Sequence, residues 1–133
     1  MTATAAIRVD GHRRWILDLP ANPLLSLNQR LHWGDKSRRT KQWRDDTTIL
    51  ARQARIPHLD RIAVRLDHWP RDRRRRDRDN LVPVLKACID GLVTAGVVDD
   101  DNPDRVRAEL PVIHEPRASR DVLWLLYVDE VLA

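Results

Sequence analysis

The run PRDRRRRDRDN at residues 70–80 constrains this chain more than any other feature, because so many charges cannot be buried together. It must lie on the surface, between two segments that can be buried. Residues 61–69 alternate apolar and polar side chains, which predicts a strand. Residues 81–95 repeat apolar side chains at helical spacing, with Pro83 in the first turn and Gly96 placed to end the helix. The charged run is therefore expected to be a surface loop that joins a strand to a helix.

The other segments predict three more strands and one more helix. Alternating apolar residues place the strands at residues 13–19, 105–114 and 122–128. The helix is expected to run from an N-cap at Asp35 or Ser37 to about Ala54, and residues 1–6 are expected to be flexible. We therefore predict one compact α+β domain over residues 1–133, with a single mixed β-sheet and two main helices.

Composition narrows the classes of protein to which the chain can belong. Lysine and arginine total 24 against 20 acidic residues, and only three of the 24 are lysines. Arginine binds phosphate through two parallel hydrogen bonds, so this bias suits a nucleic-acid partner, although codon usage explains it equally well. The single cysteine, Cys88, excludes a disulfide framework and a cysteine-rich zinc site. No apolar run is long enough to cross a membrane, and the start lacks the layout of a signal peptide, so we expect a cytoplasmic protein.

Acidic side chains on both sides of the second helix form a candidate site for a divalent cation. Asp77 and Asp79 are two residues apart, and in an extended segment both carboxylates would point the same way. Lys86 follows about two helical turns after Asp79, and Asp90 is one turn further, where it can pair with the lysine. The chain then returns with three consecutive acids that can approach the first pair, Asp99, Asp100 and Asp101. Oxygen ligands of this kind suit Mg²⁺, which can activate water beside a phosphodiester.

Basic residues next to these acids indicate a polyanion as the partner. Cations around a metal-binding acidic cluster give no obvious advantage to folding, but they would draw a phosphate backbone to the metal. The residues expected to contact nucleic acid are Asn28, Trp33, Arg38, Arg39, Arg44, Arg71, Arg73, Arg74, Arg75, Arg76 and Arg78. Plainer interpretations stay open, since aspartates in turns often only cap helices and an arginine run is often a solvated loop. The histidines show no metal-ligand spacing, and surface or strand-face positions are expected for them.

The segment DRDNLVPVLKACIDGLVTAGVVDDD resembles the signature of the RusA family of Holliday junction resolvases. The upstream LSLNQRLHW and RRTKQW also resemble that family's N-terminal loop and first helix. The resemblance implies a RusA-like fold and an Mg²⁺-dependent endonuclease, in which Mn²⁺ can substitute, acting as a homodimer on four-way DNA junctions. By position it implies that Asp77 and Asp79 are the first two metal-binding carboxylates. The third would be Asp101, with Asp100 as the alternative, and Lys86 would be the catalytic lysine. Asn80 and Asp90 would support these groups without binding the metal.

The sequence departs from the family pattern at the lysine. In the family the lysine follows the second aspartate by about one turn, whereas Lys86 comes about one turn later. Either the helix starts after an irregular LVP stretch, or Lys86 is not the equivalent residue. Two other functions stay open: a nucleic-acid-binding module without catalysis, and an interaction protein whose charges are only surface. Metal-dependent cleavage would exclude the first, and salt-dependent DNA binding would exclude the second.

Overall fold

The computed structural model describes residues 2–27 and 29–132, in which a mixed sheet carries two helices on one face. The helices are α1 (Trp33–Gln53) and α2 (Val82–Thr94), and the strands are β1 (Thr2–Ala3), β2 (Ile7–Val9), β3 (His12–Leu19), β4 (Ile62–Trp69), β5 (Val106–Ala108), β6 (Val112–Ile113) and β7 (Leu123–Glu130). The order across the sheet is β1-β3-β7-β4-β5, with β2 beside β3 and β6 beside β4. β4 is parallel to β5 and β6, and the other pairs are antiparallel. The predicted single α+β domain with one mixed sheet and two helices is confirmed.

The three long strands bury alternate side chains against the helices, because successive side chains of a strand point to opposite faces. The buried side chains of this face are Trp15, Leu17, Leu19, Ile62, Val64, Leu66, Trp124, Leu126 and Val128. His68 continues the row at the end of β4 and is also buried. The alternation that predicted these strands is therefore also the pattern that makes the core.

The two helices pack closely at Gly91 of α2. A Cβ at this position would lie 2.5 Å from the Arg44 carbonyl oxygen and 2.9 Å from Thr47 Cβ. The Thr48 hydroxyl donates a hydrogen bond to the Gly91 carbonyl at 3.0 Å. Glycine is therefore the residue that lets α2 approach α1 this closely. None of the described helices is long and apolar enough to cross a membrane.

Within the segment expected to be flexible, Thr2–Ala3 pairs with β3 as a short edge strand. Two local predictions are wrong, each for an identifiable reason. The N-cap of α1 is His32, whose ring nitrogen accepts from the Gly34 N–H at 3.2 Å, rather than Asp35 or Ser37. The strand predicted over residues 105–114 is split into β5 and β6, since Pro111 lacks the N–H that a continuous ladder needs.

The face of the sheet opposite the helices carries paired charges. Arg14 contacts the Asp129 carboxylate with two hydrogen bonds of 2.6 and 2.9 Å. Arg65 contacts Asp67 in the same way at 2.7 and 3.1 Å, and His114 Nε2 lies 2.8 Å from the same carboxylate. No helix among the described residues covers this open face.

Candidate active site

The loop after β4, residues 70–77, which we call the arginine loop, is shaped by two of its own residues. Arg76 donates to the carbonyl oxygens of Asp72 and Arg74, both at 2.9 Å, and to the Asp72 carboxylate at 2.8 Å. The same carboxylate accepts from the Arg74 N–H at 3.0 Å. The Arg76 guanidinium, and then the Arg74 N–H, hold the pKa of Asp72 below its usual value. Arg76 therefore stabilises the loop instead of facing an external anion.

The other arginines of the run divide into paired and unpaired ones. Arg73 forms an ion pair with Glu115 at 3.0 Å, and Arg74 lies 3.7 Å from the Asp72 carboxylate. Three exposed arginines form no ion pair with any residue that the structure describes, namely Arg71, Arg75 and Arg78. Within the run, the positive charge that is available to a ligand is therefore concentrated on these three side chains.

The predicted contacts on α1 are partly engaged within the protein. Arg38 pairs with an aspartate of its own helix, and Arg39 donates to a loop carbonyl at 2.8 Å. Arg44 is half-buried and lies 3.7 Å from a neighbouring carboxylate. Trp33 is 78% exposed at the first residue of α1, so its ring is open to an external partner. Asn28 lies outside the described residues.

Asp77 and Asp79 do not share an extended segment, which corrects the geometry that their spacing predicted. Asp77 is extended, with φ −96° and ψ 127°, but Asp79 lies in a 3-10 turn over Arg78–Leu81. The turn forms because the Asn80 N–H bonds back to the Asp77 carbonyl at 3.0 Å. Neither carboxylate forms an ion pair or a hydrogen bond with a described residue. Both remain exposed and unpaired at the end of the arginine loop.

The start of α2 bears on the position of the lysine. Leu81 closes the 3-10 turn, while Val82 and Pro83 already belong to α2, so the predicted irregular stretch is limited to Leu81. Lys86 is exposed one turn inside the helix. The extra turn between Asp79 and Lys86 is thus taken up by the 3-10 turn and the first turn of α2.

In the acidic bend after α2, residues 99–101, one carboxylate forms fewer contacts with the rest of the protein than the other two. Asp99 contacts His58 at 2.8 Å. The Asp100 carboxylate accepts from the Asp101 N–H at 2.7 Å and from the Asn102 amide at 3.1 Å, and these bonds lower its pKa. Asp101 forms no ion pair among the described residues. Of the three acids, Asp101 therefore has the carboxylate that is most available to a ligand.

Asp90 connects this bend to the lysine. Burial, and then the negative charge of Asp101, raise the pKa of Asp90, whereas Arg44 and Lys86 act in the opposite direction. Asp101 is therefore close to the side of α2 that carries Asp90 and Lys86. The predicted pair between Lys86 and Asp90 acts through space, since no contact ion pair joins these two described residues.

The side chains of this site are of the types that bind a metal ion, but they are not grouped around one position. Within residues 2–27 and 29–132, no three side chains of histidine, cysteine, aspartate or glutamate are grouped so that they could hold a metal. The predicted convergence of Asp77 and Asp79 with Asp101 is not formed among them. The donors themselves fit Mg²⁺, because all three are exposed carboxylates that form no ion pair with any described cation.

A cavity of about 290 Å³ adjoins Asp77. It is bounded by the loop at residues 24–26, the end of β4, the arginine loop and the 3-10 turn, and its lining is Leu24, Ser26, His68, Arg74, Arg75, Arg76, Asp77, Asn80 and Leu81. The Leu27 N–H donates to the Asn80 carbonyl at 3.2 Å, so the first loop is tied directly to the turn. Cationic, acidic and apolar groups therefore meet around one opening.

His68 is the residue of this cavity that sequence reasoning did not assign to a site. Its ring stacks on Trp124 with centroids 3.6 Å apart, and Nδ1 lies 3.2 Å from the Leu123 carbonyl oxygen. Burial, with a further contribution from Arg76, lowers the pKa of His68 to about 4. The alternation of β4 places His68 on the same face as Leu66, but the loop at residues 24–26 that helps to complete the cavity is distant in sequence.

A larger cavity, of about 450 Å³, lies on the open face of the sheet. The guanidinium carbons of Arg14 and Arg65 lie 5.1 and 4.8 Å from the ring centre of Tyr127 there. Both arginines already form two hydrogen bonds to a carboxylate, so they offer less charge to a phosphate. The unpaired Arg78 also lines this larger cavity, but only the smaller cavity is lined by a carboxylate of the candidate metal site, Asp77.

Comparison with known proteins adds neither a family nor a relative to these observations. No protein-family model matches this chain, and no curated protein matches it significantly.

Proposed function

We propose that this chain is an Mg²⁺-dependent endonuclease of the RusA type that cleaves four-way junctions and related branched DNA. One observation carries the proposal: Asp77 lines the same cavity as Arg74, Arg75 and Arg76, yet it pairs with none of them. A carboxylate that only stabilised the loop would pair with a neighbouring arginine, as Asp72 does. An unpaired carboxylate beside the unpaired guanidinium group of Arg75 suits a site that binds a metal and a phosphate together.

The residues of the site would have distinct roles. Metal ligation would come from Asp77, Asp79 and Asp101, with Asp100 as the alternative in the bend. Bound there, Mg²⁺ would supply a Lewis acid for the backbone phosphate and lower the pKa of a bound water. Lys86 would neutralise charge that develops on the phosphate, and Asp90 would hold the lysine near the acidic bend. Arg71, Arg75 and Arg78 would bind the DNA strands.

Resolution of a junction needs two matched nicks, which a twofold dimer with two equivalent sites would provide. Leu123 and Leu125 support a dimer, because they are half-buried apolar side chains on the open face of β7. We expect light scattering to give a dimer mass for the natural chain and a monomer mass for Leu125→Glu. A monomer mass for the natural chain at micromolar concentration would argue against this arrangement.

The test of the activity uses a synthetic four-way junction with Mg²⁺. We expect paired nicks from the natural chain, and a loss of at least about a hundredfold in Asp79→Asn, since removal of a metal ligand removes several kcal/mol of transition-state stabilisation. Asp121→Asn, in the loop before β7, is the matched control and should cleave normally. Undiminished cleavage by Asp79→Asn would overturn the assignment of the metal site.

The second candidate is a nucleic-acid-binding module without catalysis. The observation that favours it is that no three carboxylates of the described residues are grouped as a metal site. In that case the unpaired arginines would bind the DNA backbone, and the aspartates would only order the loop. Junction binding that persists in chelator, with no nick in any branched or linear substrate under Mg²⁺ or Mn²⁺, would favour this module over the nuclease.

A further inference from the structure

The cavity beside Asp77 offers its contents a hydrogen-bond acceptor of fixed orientation. A carbonyl oxygen can only accept, so the 3.2 Å contact with Leu123 places the proton of neutral His68 on Nδ1. Nε2 is then an acceptor, and it has no hydrogen-bond partner among the described residues. Trp124 covers one face of the ring, and His68 is one of the residues that line the cavity.

The remaining walls of the cavity differ in chemistry. Leu24 and Leu81 supply apolar surface, and Arg75 supplies a guanidinium group that no described carboxylate neutralises. The volume of about 290 Å³ lies near the lower end of the range of about 300–1,000 Å³ found for small-ligand pockets. A compact, partly apolar occupant with a polar N–H donor and a negative charge would match His68, the two leucines and Arg75. The Asp77 carboxylate, which also lines the cavity, would attract a further N–H donor or a cation.

We infer that this cavity binds one unstacked nucleotide of the DNA substrate, with its base against Leu24 and Leu81, a base N–H donated to His68 Nε2, and its phosphate on Arg75. The inference rests on the proposed function, because it assigns part of the DNA to a particular subsite. Bases that leave the stack are bound in proteins by their edges and faces in this way. His68 is thus a residue that selects and positions the nucleotide, while the carboxylates carry the chemistry.

The test uses single-stranded trinucleotides in chelator, so that binding is measured without cleavage. Four probes differ in the central base, and a fifth has an abasic central position. We expect at least one of the four to shift the His68 ring resonance in a saturable NMR titration, and the abasic probe to leave it unchanged. Arg75→Ala should weaken binding by about tenfold, the effect of losing one charged contact, whereas Arg61→Ala, at the opposite end of β4, should not.

Two variants separate recognition from structural support. In His68→Asn the side-chain amide lies about as far from the backbone as Nδ1 of histidine. In His68→Gln it lies about as far from the backbone as Nε2. We expect His68→Gln to bind the preferred trinucleotide nearly as well as the natural chain, and His68→Asn to bind it about tenfold more weakly. Both variants should keep the natural melting temperature within a few degrees. Equal binding by all three forms would overturn the role of Nε2.

A parallel junction-cleavage assay keeps the two proposals distinguishable. Cleavage of the junction with no His68 shift from any trinucleotide would overturn the nucleotide subsite and leave the nuclease standing. A saturable shift that needs the central base, with no cleavage under Mg²⁺ or Mn²⁺, would support the subsite and overturn the nuclease. Binding of the abasic probe as tightly as the others would reduce the cavity to a simple phosphate contact.

Discussion

Asp67 is buried, with a side chain only 2% exposed, yet it carries a charge between Arg65 and His114. Arg65 would lose two charge-assisted hydrogen bonds, while its own side chain stays 40% exposed to water, so we expect Asp67→Asn to lower the free energy of unfolding by about 2 kcal/mol. Urea denaturation would measure this loss. The exposed pair of Arg107 and Glu109 is the control, and Glu109→Gln should change stability by less than about 1 kcal/mol. A similar loss in both variants would contradict the role given to burial.

His68 should make stability depend on pH. Its pKa is about 4 in the folded chain because of burial, against an ordinary value of 6.5. The unfolded chain binds more protons between these values, so the free energy of unfolding should fall as the pH falls from 6.5 towards 4, by up to about 3 kcal/mol. His68→Gln should lack this part of the pH dependence. Parallel stability profiles of the two forms between pH 7 and pH 4 would contradict the assignment.

At the scale of elements, two effects compete at Gly91 of α2. Helix propensity favours alanine there, whereas the packing of α2 against α1 favours glycine. Alanine is favoured over glycine inside a helix by about 1 kcal/mol. A Cβ here would nevertheless lie 2.5 Å from the backbone of α1, so we expect Gly91→Ala to destabilise the protein by about 2 kcal/mol in thermal or urea denaturation. The exposed Thr94→Ala in the same helix should stay within about 0.5 kcal/mol of the natural chain. Stabilisation by Gly91→Ala would show that α1 and α2 do not approach this closely.

The elements themselves were largely predictable from the sequence. Alternation predicted β3, β4 and β7, and helical spacing predicted α1 and α2, because each pattern reports directly which side chains meet the core. The short strands β1 and β2 were not predicted, since strands of two and three residues are too short to show an alternation of apolar and polar side chains. The 3-10 turn that separates Asp77 from Asp79 also escaped, because a backbone bond from Asn80 to Asp77 decides it.

At the scale of the whole molecule, the net charge is +4, but the charged side chains are distributed unevenly along the chain. The sequence indicated a basic surface next to acids, but not which arginines are free, because the partners of Arg73 and Arg39 lie far along the chain. His68 could not be assigned to the site for the same reason, because the loop at residues 24–26, which helps to line its cavity, lies far along the chain. The sequence therefore predicted the types of residue in the candidate site better than their arrangement.

The three unpaired arginines should dominate the salt dependence of DNA binding. Each phosphate contact that is lost should reduce the slope of log K against log salt concentration by about 0.9, so we expect this change for Arg71→Ala, Arg75→Ala and Arg78→Ala measured separately. Arg61→Ala should leave the slope unchanged. Fluorescence anisotropy with a labelled junction in chelator gives the measurement, and equal slopes in all four variants would contradict the proposed DNA surface.

We propose that Asp77, Asp79 and Asp101 bind one divalent ion although the chain separates them. Anomalous diffraction from crystals soaked in Mn²⁺ would show this directly. We expect one Mn²⁺ peak bonded to oxygens of the turn at Asp77–Asp79 and of Asp101, with Lys86 nearby. Crystals in which Mn²⁺ binds elsewhere, or in which these carboxylates stay apart both within one chain and across any partner subunit, would contradict it.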